Sequence, residues 1–130
     1  MEVDYIDNVN GFDEHVVRLY NFNKEEATKF RDLIKETVIE KKQRLDVSEV
    51  DFIETRNCNL IFGLFKSDEG ILTKDKHTFF CVLTLAGFEN MLQLIAPYCQ
   101  KETRSYQYLY DIDNPTELLF CPTATRYEGE

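Results

Sequence analysis

The chain is 130 residues long, with 24 acidic against 15 basic residues and a formal charge of −9. Its 43% apolar and 30% charged residues are the composition of a single globular domain, long enough to bury roughly two-thirds of its unfolded surface without disulfides or metal. The charge argues against nucleic-acid binding through phosphate contacts and against docking on anionic lipid. The longest apolar run, Leu60 to Phe65, is far too short to span a bilayer.

Val3 to Ile6 reads as a strand closed by Asn8-Val9-Asn10-Gly11, where Asn10-Gly11 supplies the positive φ angles of a tight turn. His15 to Phe22 is β-branched and aromatic, which predicts a first hairpin. Asn23 then caps a helix, with Glu26 placed to return the bond and Glu25 and Glu26 favoured by the helix dipole. Ala27, Phe30, Leu33, Ile34 and Val38 make its apolar stripe, and Lys41, Lys42 and Arg44 follow its far end. Leu45 to Arg56 is a mixed connection with a short strand at Asp51 to Glu54. Leu60 to Phe65 and Lys76 to Thr84 are strands joined through a turn at Lys66 to Gly70. A second helix is expected from Leu85 to Tyr98, with Phe88, Met91, Leu92, Ile95 and Cys99 as its stripe and Pro97 in its last turn. Ser105 to Asp111 and Leu118 to Cys121 complete the strands.

The order ββαββαββ predicts one α+β domain covering residues 1–130: a mainly antiparallel sheet of about five to six strands with two helices packed on one face. The helical stripes superimpose at a fixed offset, Ala27 on Phe88, Phe30 on Met91, Ile34 on Ile95 and Val38 on Cys99. That offset suggests a repeated ββα unit, although the residues do not match and any two amphipathic helices can be aligned in this way. Leu60 to Phe65 and Phe79 to Leu83 are apolar on both faces, whereas a half-solvated strand should alternate. A second face must therefore be covered by a connecting segment, by the C-terminal tail, or by another copy; a homodimer through the sheet is the expectation carried forward.

Met1-Glu2-Val3-Asp4-Tyr5 has neither the basic start nor the apolar stretch of a secretory signal, and Asn114-Pro115-Thr116 has proline at the forbidden middle of a glycosylation triplet. A cytoplasmic location is expected. Cys58, Cys81, Cys99 and Cys121 form no Cys-x-x-Cys pair, and each lies in or beside an apolar stretch, as buried thiols do.

Tyr106, Tyr108 and Tyr110 alternate at strand spacing, which would set three phenols in a row as an interface strip, a ligand platform or a roof on the core. His15 and His77, with Asp13, Glu14 or Asp75, could bind a metal only if their strands were neighbours; solvated or edge histidines are the plainer reading. Asp111-Ile112-Asp113-Asn114 begins like a calcium loop, but Thr116 and Pro122 stand where Gly and the bidentate Glu belong, so the segment is read as a turn. Glu54, followed by Arg56, is the best of a weak set of candidate general acids. No nucleophile elbow, phosphate loop, zinc-protease or dinucleotide motif is present. No catalytic residue, cofactor or metal is therefore assigned. The expected function is a non-catalytic protein-interaction module that binds itself, a basic partner, or both, in the manner of an inhibitor or immunity protein. The alternative is a small-molecule binder or unrecognised enzyme with a pocket beside the three tyrosines.

Overall fold

The computed structural model describes residues 1–9 and 14–123. The first hairpin forms as expected: β1 (Glu2–Val9) runs antiparallel to β2 (Glu14–Tyr20), in a register that sets Asp4 opposite Arg18. The Asn10-Gly11 turn and Asp13 lie outside the described residues. Asn23 caps helix α1 (Lys24–Leu33): its side chain accepts from the Glu26 amide at 2.9 Å, and the Glu26 carboxylate accepts from the Asn23 amide at 3.3 Å. The helix continues as a π-helical stretch over Ile34–Glu40, closed by the Lys41 amide donating to the Glu36 carbonyl. Lys42 then turns the chain at φ 55°.

The mixed connection holds β3 (Leu45–Asp46), one 3-10 turn (Val47–Glu49) and β4 (Glu54–Thr55), in place of a strand at Asp51 to Glu54. Next come β5 (Asn59–Leu64), β6 (Gly70–Thr73), β7 (Thr78–Leu83) and helix α2 (Leu85–Gln100). Thr84 caps α2 by accepting from the Gly87 amide, and Pro97 lies inside the helix without ending it at Tyr98. The final strands are β8, shortened to Gln107–Tyr108, and β9 (Thr116–Cys121).

The class is α+β, and the strands divide between two mixed sheets, ordered β4-β1-β2-β9-β8 and β3-β5-β7-β6. β5 and β7 do not form a hairpin. They run parallel, Leu60 opposite Phe79 and Leu64 opposite Leu83, and β6 pairs antiparallel along the far side of β7. At four residues, β6 carries little alternation, and the expected turn at Lys66 to Gly70 and strand at Lys76 to Thr84 leave Ile71–Thr73 without an element.

The likeness in element order between the two halves extends beyond ββα. β1-β2-α1-β3-β5 and β6-β7-α2-β8-β9 have the same order, and the helix caps Asn23 and Thr84 stand at the offset that relates the apolar stripes. Each half gives its hairpin to one sheet and its last two strands to the other. β2 therefore lies parallel to β9, and β7 parallel to β5. β4 is an addition in the first half and pairs parallel with β1.

One apolar cluster draws on both sheets and both helices. Val3, Val17, Leu19, Leu118 and Phe120 come from the five-stranded sheet, and Leu60, Phe62, Phe79 and Leu83 from the four-stranded sheet. The helices add Phe30, Ile34, Val38, Phe88, Met91 and Ile95, all fully buried. Phe30 packs edge-on against Phe62 and stacks on Phe120, so one ring of α1 touches both sheets.

Candidate interaction surface

β5 and β7 send alternate residues into the core and onto an outer face. Leu60, Phe62, Phe79, Cys81 and Leu83 go inward; Ile61, Phe80 and Val82 go outward and stay half-buried. Strand register places Ile61, Phe80 and Leu72 in one cross-strand row, and Gly63, Val82 and Gly70 in the next. Leu72 and Phe65 are each 45% exposed. Patches of this kind on otherwise polar surfaces mark binding sites more often than scattered apolar residues do. The face forms the floor of a shallow groove of about 820 Å³.

Its rim is basic. Lys42 and Arg44 follow the helix end, and Lys74 stands at the β6–β7 turn, against Asp75 as the one carboxylate lining the groove among the described residues. Asp75 is already engaged, because its Oδ1 accepts from the amides of His77 and Thr78. Those backbone hydrogen bonds hold its carboxyl below the usual range. The Arg44 guanidinium lies 5.8 Å from the centre of the Phe80 ring. Its stem lies along Gly63, where a Cβ would stand in ordinary van der Waals contact with Arg44 Cγ at 3.5 Å. No carboxylate of the described residues pairs with Arg44. Asp46, next along β3, is committed locally. Burial raises its pKa, but hydrogen bonds from Asn59 and Ser48 outweigh that and keep it low.

The outer face of the five-stranded sheet is buried over most of its width, with Tyr108 exposed at its β8 edge opposite Leu119. Val16, Tyr20, Leu119 and Cys121 form a second buried cluster, with Ile6 packed against it. Beside them Arg18, only 8% exposed, makes two bonds to Asp4, Nε to Oδ1 at 2.7 Å and Nη2 to Oδ2 at 3.0 Å. Its guanidinium lies 4.2 Å from the centre of the Tyr20 ring.

Tyr106 and Tyr108 are brought together, edge to face at 5.7 Å and both exposed. Tyr110 leaves the row. It is buried, with its hydroxyl donating to the Thr116 carbonyl and accepting from the Ile71 amide, and burial pushes its pKa up. Tyr108 and Tyr110, with Asn90, Asp111 and Asn114, line a second depression of about 760 Å³. Asn114 spans to β6, where its amide donates to the carbonyls of Glu69 at 2.7 Å and Ile71 at 3.0 Å. The segment resembling a calcium loop therefore seals the open edge of the four-stranded sheet.

The histidines belong to different sheets. His15 Nδ1 lies 3.1 Å from the Tyr5 hydroxyl and 2.5 Å from Asp7, whose other oxygen is 3.7 Å from Lys76. Slight desolvation raises the Asp7 pKa, but Lys76 and His15 outweigh it and hold the carboxyl low. This cluster clasps the first hairpin to the β6–β7 turn. His77 is exposed just before β7. Among the described residues no group of three or more His, Cys, Asp or Glu is placed to hold a metal. Glu54 is exposed and pairs with Arg56, which also reaches Glu2. Cys58, Cys81 and Cys121 are buried and Cys99 half-buried, all as free thiols. Burial pushes the Cys58 thiol up to about 12.

Glu2, Asp4 and Asp7 are each matched by a cation, in Arg56, Arg18 and Lys76. Sequence reading found the doubly apolar strands and the basic residues after α1. It missed their meeting, because Arg44 reaches Phe80 only through the pairing of β3 with β5 and of β5 with β7. No helix of the described residues is long and apolar enough to cross a membrane. No family model matches the chain, and no curated protein matches it in sequence.

Proposed function

We propose that this chain is a non-catalytic protein-interaction module that binds through the outer face of its four-stranded sheet. The observation that carries this reading is the row Ile61-Phe80-Leu72, an apolar stripe left half-open beside a core that is otherwise closed. Two sheets of similar topology differ here: among the described residues the outer face of the four-stranded sheet exposes Leu72 and Phe65, and that of the five-stranded sheet exposes Tyr108, whose ring carries a hydroxyl. A basic partner has less support than the sequence suggested, since three of the N-terminal carboxylates already hold cations. A homodimer formed symmetrically through this face would bring two copies of Arg44, Lys42 and Lys74 toward one another, and like charges across an interface are unfavourable. The small-molecule reading keeps the depression beside Tyr108 as its site.

A photo-crosslinking residue at Leu72, compared with the same residue at Leu85 on α2, tests the proposal in cells that make the protein. Both positions are exposed, at 45% and 41%. Adducts with another protein from position 72 and none from position 85 are the expected result. Equal labelling from both positions, or none from either, overturns it. An adduct of twice the chain's own mass from position 72 identifies a second copy as the occupant.

A further inference from the structure

We infer that the partner seated on this face is acidic: a protein segment that presents an Asp or Glu carboxylate flanked by apolar side chains, with the carboxylate bound by Arg44. This rests on the reading of the face as a binding surface and names what fills it.

Charge carries the inference. The groove is lined by three cations and one carboxylate, Lys42, Arg44 and Lys74 against Asp75, in a chain whose total charge is −9. Asp75 already accepts two backbone hydrogen bonds, so it does not neutralise the rim. The local sign thus opposes the global one at the place where apolar surface is open. An acidic approach is favoured by the rim, and the excess negative charge elsewhere turns a misoriented acidic partner away.

Geometry assigns the central role to Arg44. Its guanidinium stands at the Phe80 ring while remaining open to solvent, and its stem lies along Gly63. A guanidinium is planar, presents paired donors to a carboxylate, and is weakly hydrated, which suits it to a half-buried ion pair on an apolar floor. The molecule contains a filled version of the same arrangement. Arg18 lies over Tyr20 on the other sheet's outer face and takes both oxygens of Asp4. On the four-stranded sheet the arginine and the ring are present, and no carboxylate of the described residues completes them. The apolar neighbours of that carboxylate would cover Leu72 on one side and Phe65 on the other, the two most exposed apolar residues of the face.

A library of random 12-residue peptides displayed on phage, selected on the full chain, gives an unbiased probe. The same library is selected in parallel on Arg44→Glu and on the double variant Leu72→Asp with Phe65→Ser, all three exposed positions, each variant first checked for wild-type thermal unfolding. Peptides enriched on the wild type should contain Asp or Glu beside Phe, Leu, Ile or Val. The best of them, synthesised, should bind Arg44→Glu at least about tenfold more weakly, equivalent to about 1.4 kcal/mol, and lose affinity as salt rises. Lys74→Glu should weaken it in the same direction. Enriched peptides without acidic residues, or binding Arg44→Glu as well as the wild type while losing the double variant, overturn the acidic partner and leave the face as a binding surface. Peptides that bind the double variant undiminished, or no enrichment over it, overturn the binding face itself.

Discussion

Two arginines sit over two aromatic rings on the outer faces of two sheets, and the molecule treats them differently. Arg18 over Tyr20 is nine-tenths buried and holds Asp4 through two hydrogen bonds, inside a cluster completed by Val16, Leu119 and Cys121. Arg44 over Phe80 is exposed, has no carboxylate of the described residues, and borders Leu72 and Phe65. The first arrangement stabilises the fold from within. The second leaves a charged group beside exposed apolar surface, a combination that favours association with a partner of opposite charge. A pair of similar side-chain stacks thus separates the structural face from the proposed binding face.

The comparison can be broken most severely at Asp4. Asp4→Asn removes the charge opposite Arg18 and leaves a buried guanidinium uncompensated; the expected loss is about 3 kcal/mol of unfolding free energy in urea titrations. Removing the latch of Asn114 comes next. Asn114→Ala frees two carbonyls at the β6 edge, and a loss of about 1–2 kcal/mol with earlier hydrogen exchange across Gly70–Thr73 is expected. Gly63→Val sharpens the contrast from the other side. A Cβ there meets Arg44 Cγ at an ordinary contact distance of 3.5 Å and the branched methyls crowd the stem, so stability should rise by about 0.5 kcal/mol from strand propensity while the affinity of an acidic peptide falls. Smallest is Arg44→Ala, whose unfolding free energy should stay within about 0.5 kcal/mol of the wild type. An Arg44→Ala loss as large as that of Asp4→Asn would mean that the two arginines do the same work, and the distinction between the faces would fail.

The sequence disclosed local structure more readily than pairing. The Asn23 and Glu26 capping box and the stripe Ala27, Phe30, Ile34 and Val38 were legible because a helix satisfies its own backbone, so its signals lie within one or two turns. Strands β5 and β7 were legible as strands, but their parallel pairing was not, since register depends on β6 and the loops between them. Tyr110 illustrates the limit. Its alternation with Tyr106 and Tyr108 pointed to a shared face, yet its hydroxyl is drawn inward by the Ile71 amide, a partner 39 residues away. The doubly apolar strands pointed to the outer face of the four-stranded sheet, as an excess of apolar residues over what one core face requires. Which residues would rim that excess could not be read, because Lys42 and Arg44 come from a helix end and Lys74 from a distant turn.

The exchange of strands between the two halves has a consequence for how the chain is made. A nascent chain that has emerged as far as Leu64 possesses β1, β2, α1, β3 and β5, but β2 still lacks its parallel neighbour β9 and β5 lacks β7. Neither half can finish a sheet alone, so consolidation waits for the last strand, and the long-range pairings make folding slow for the chain's size. For the same reason, two fragments divided in the Lys66–Glu69 turn should each remain largely unstructured and regain the fold on mixing, each completing the other's unfinished sheet.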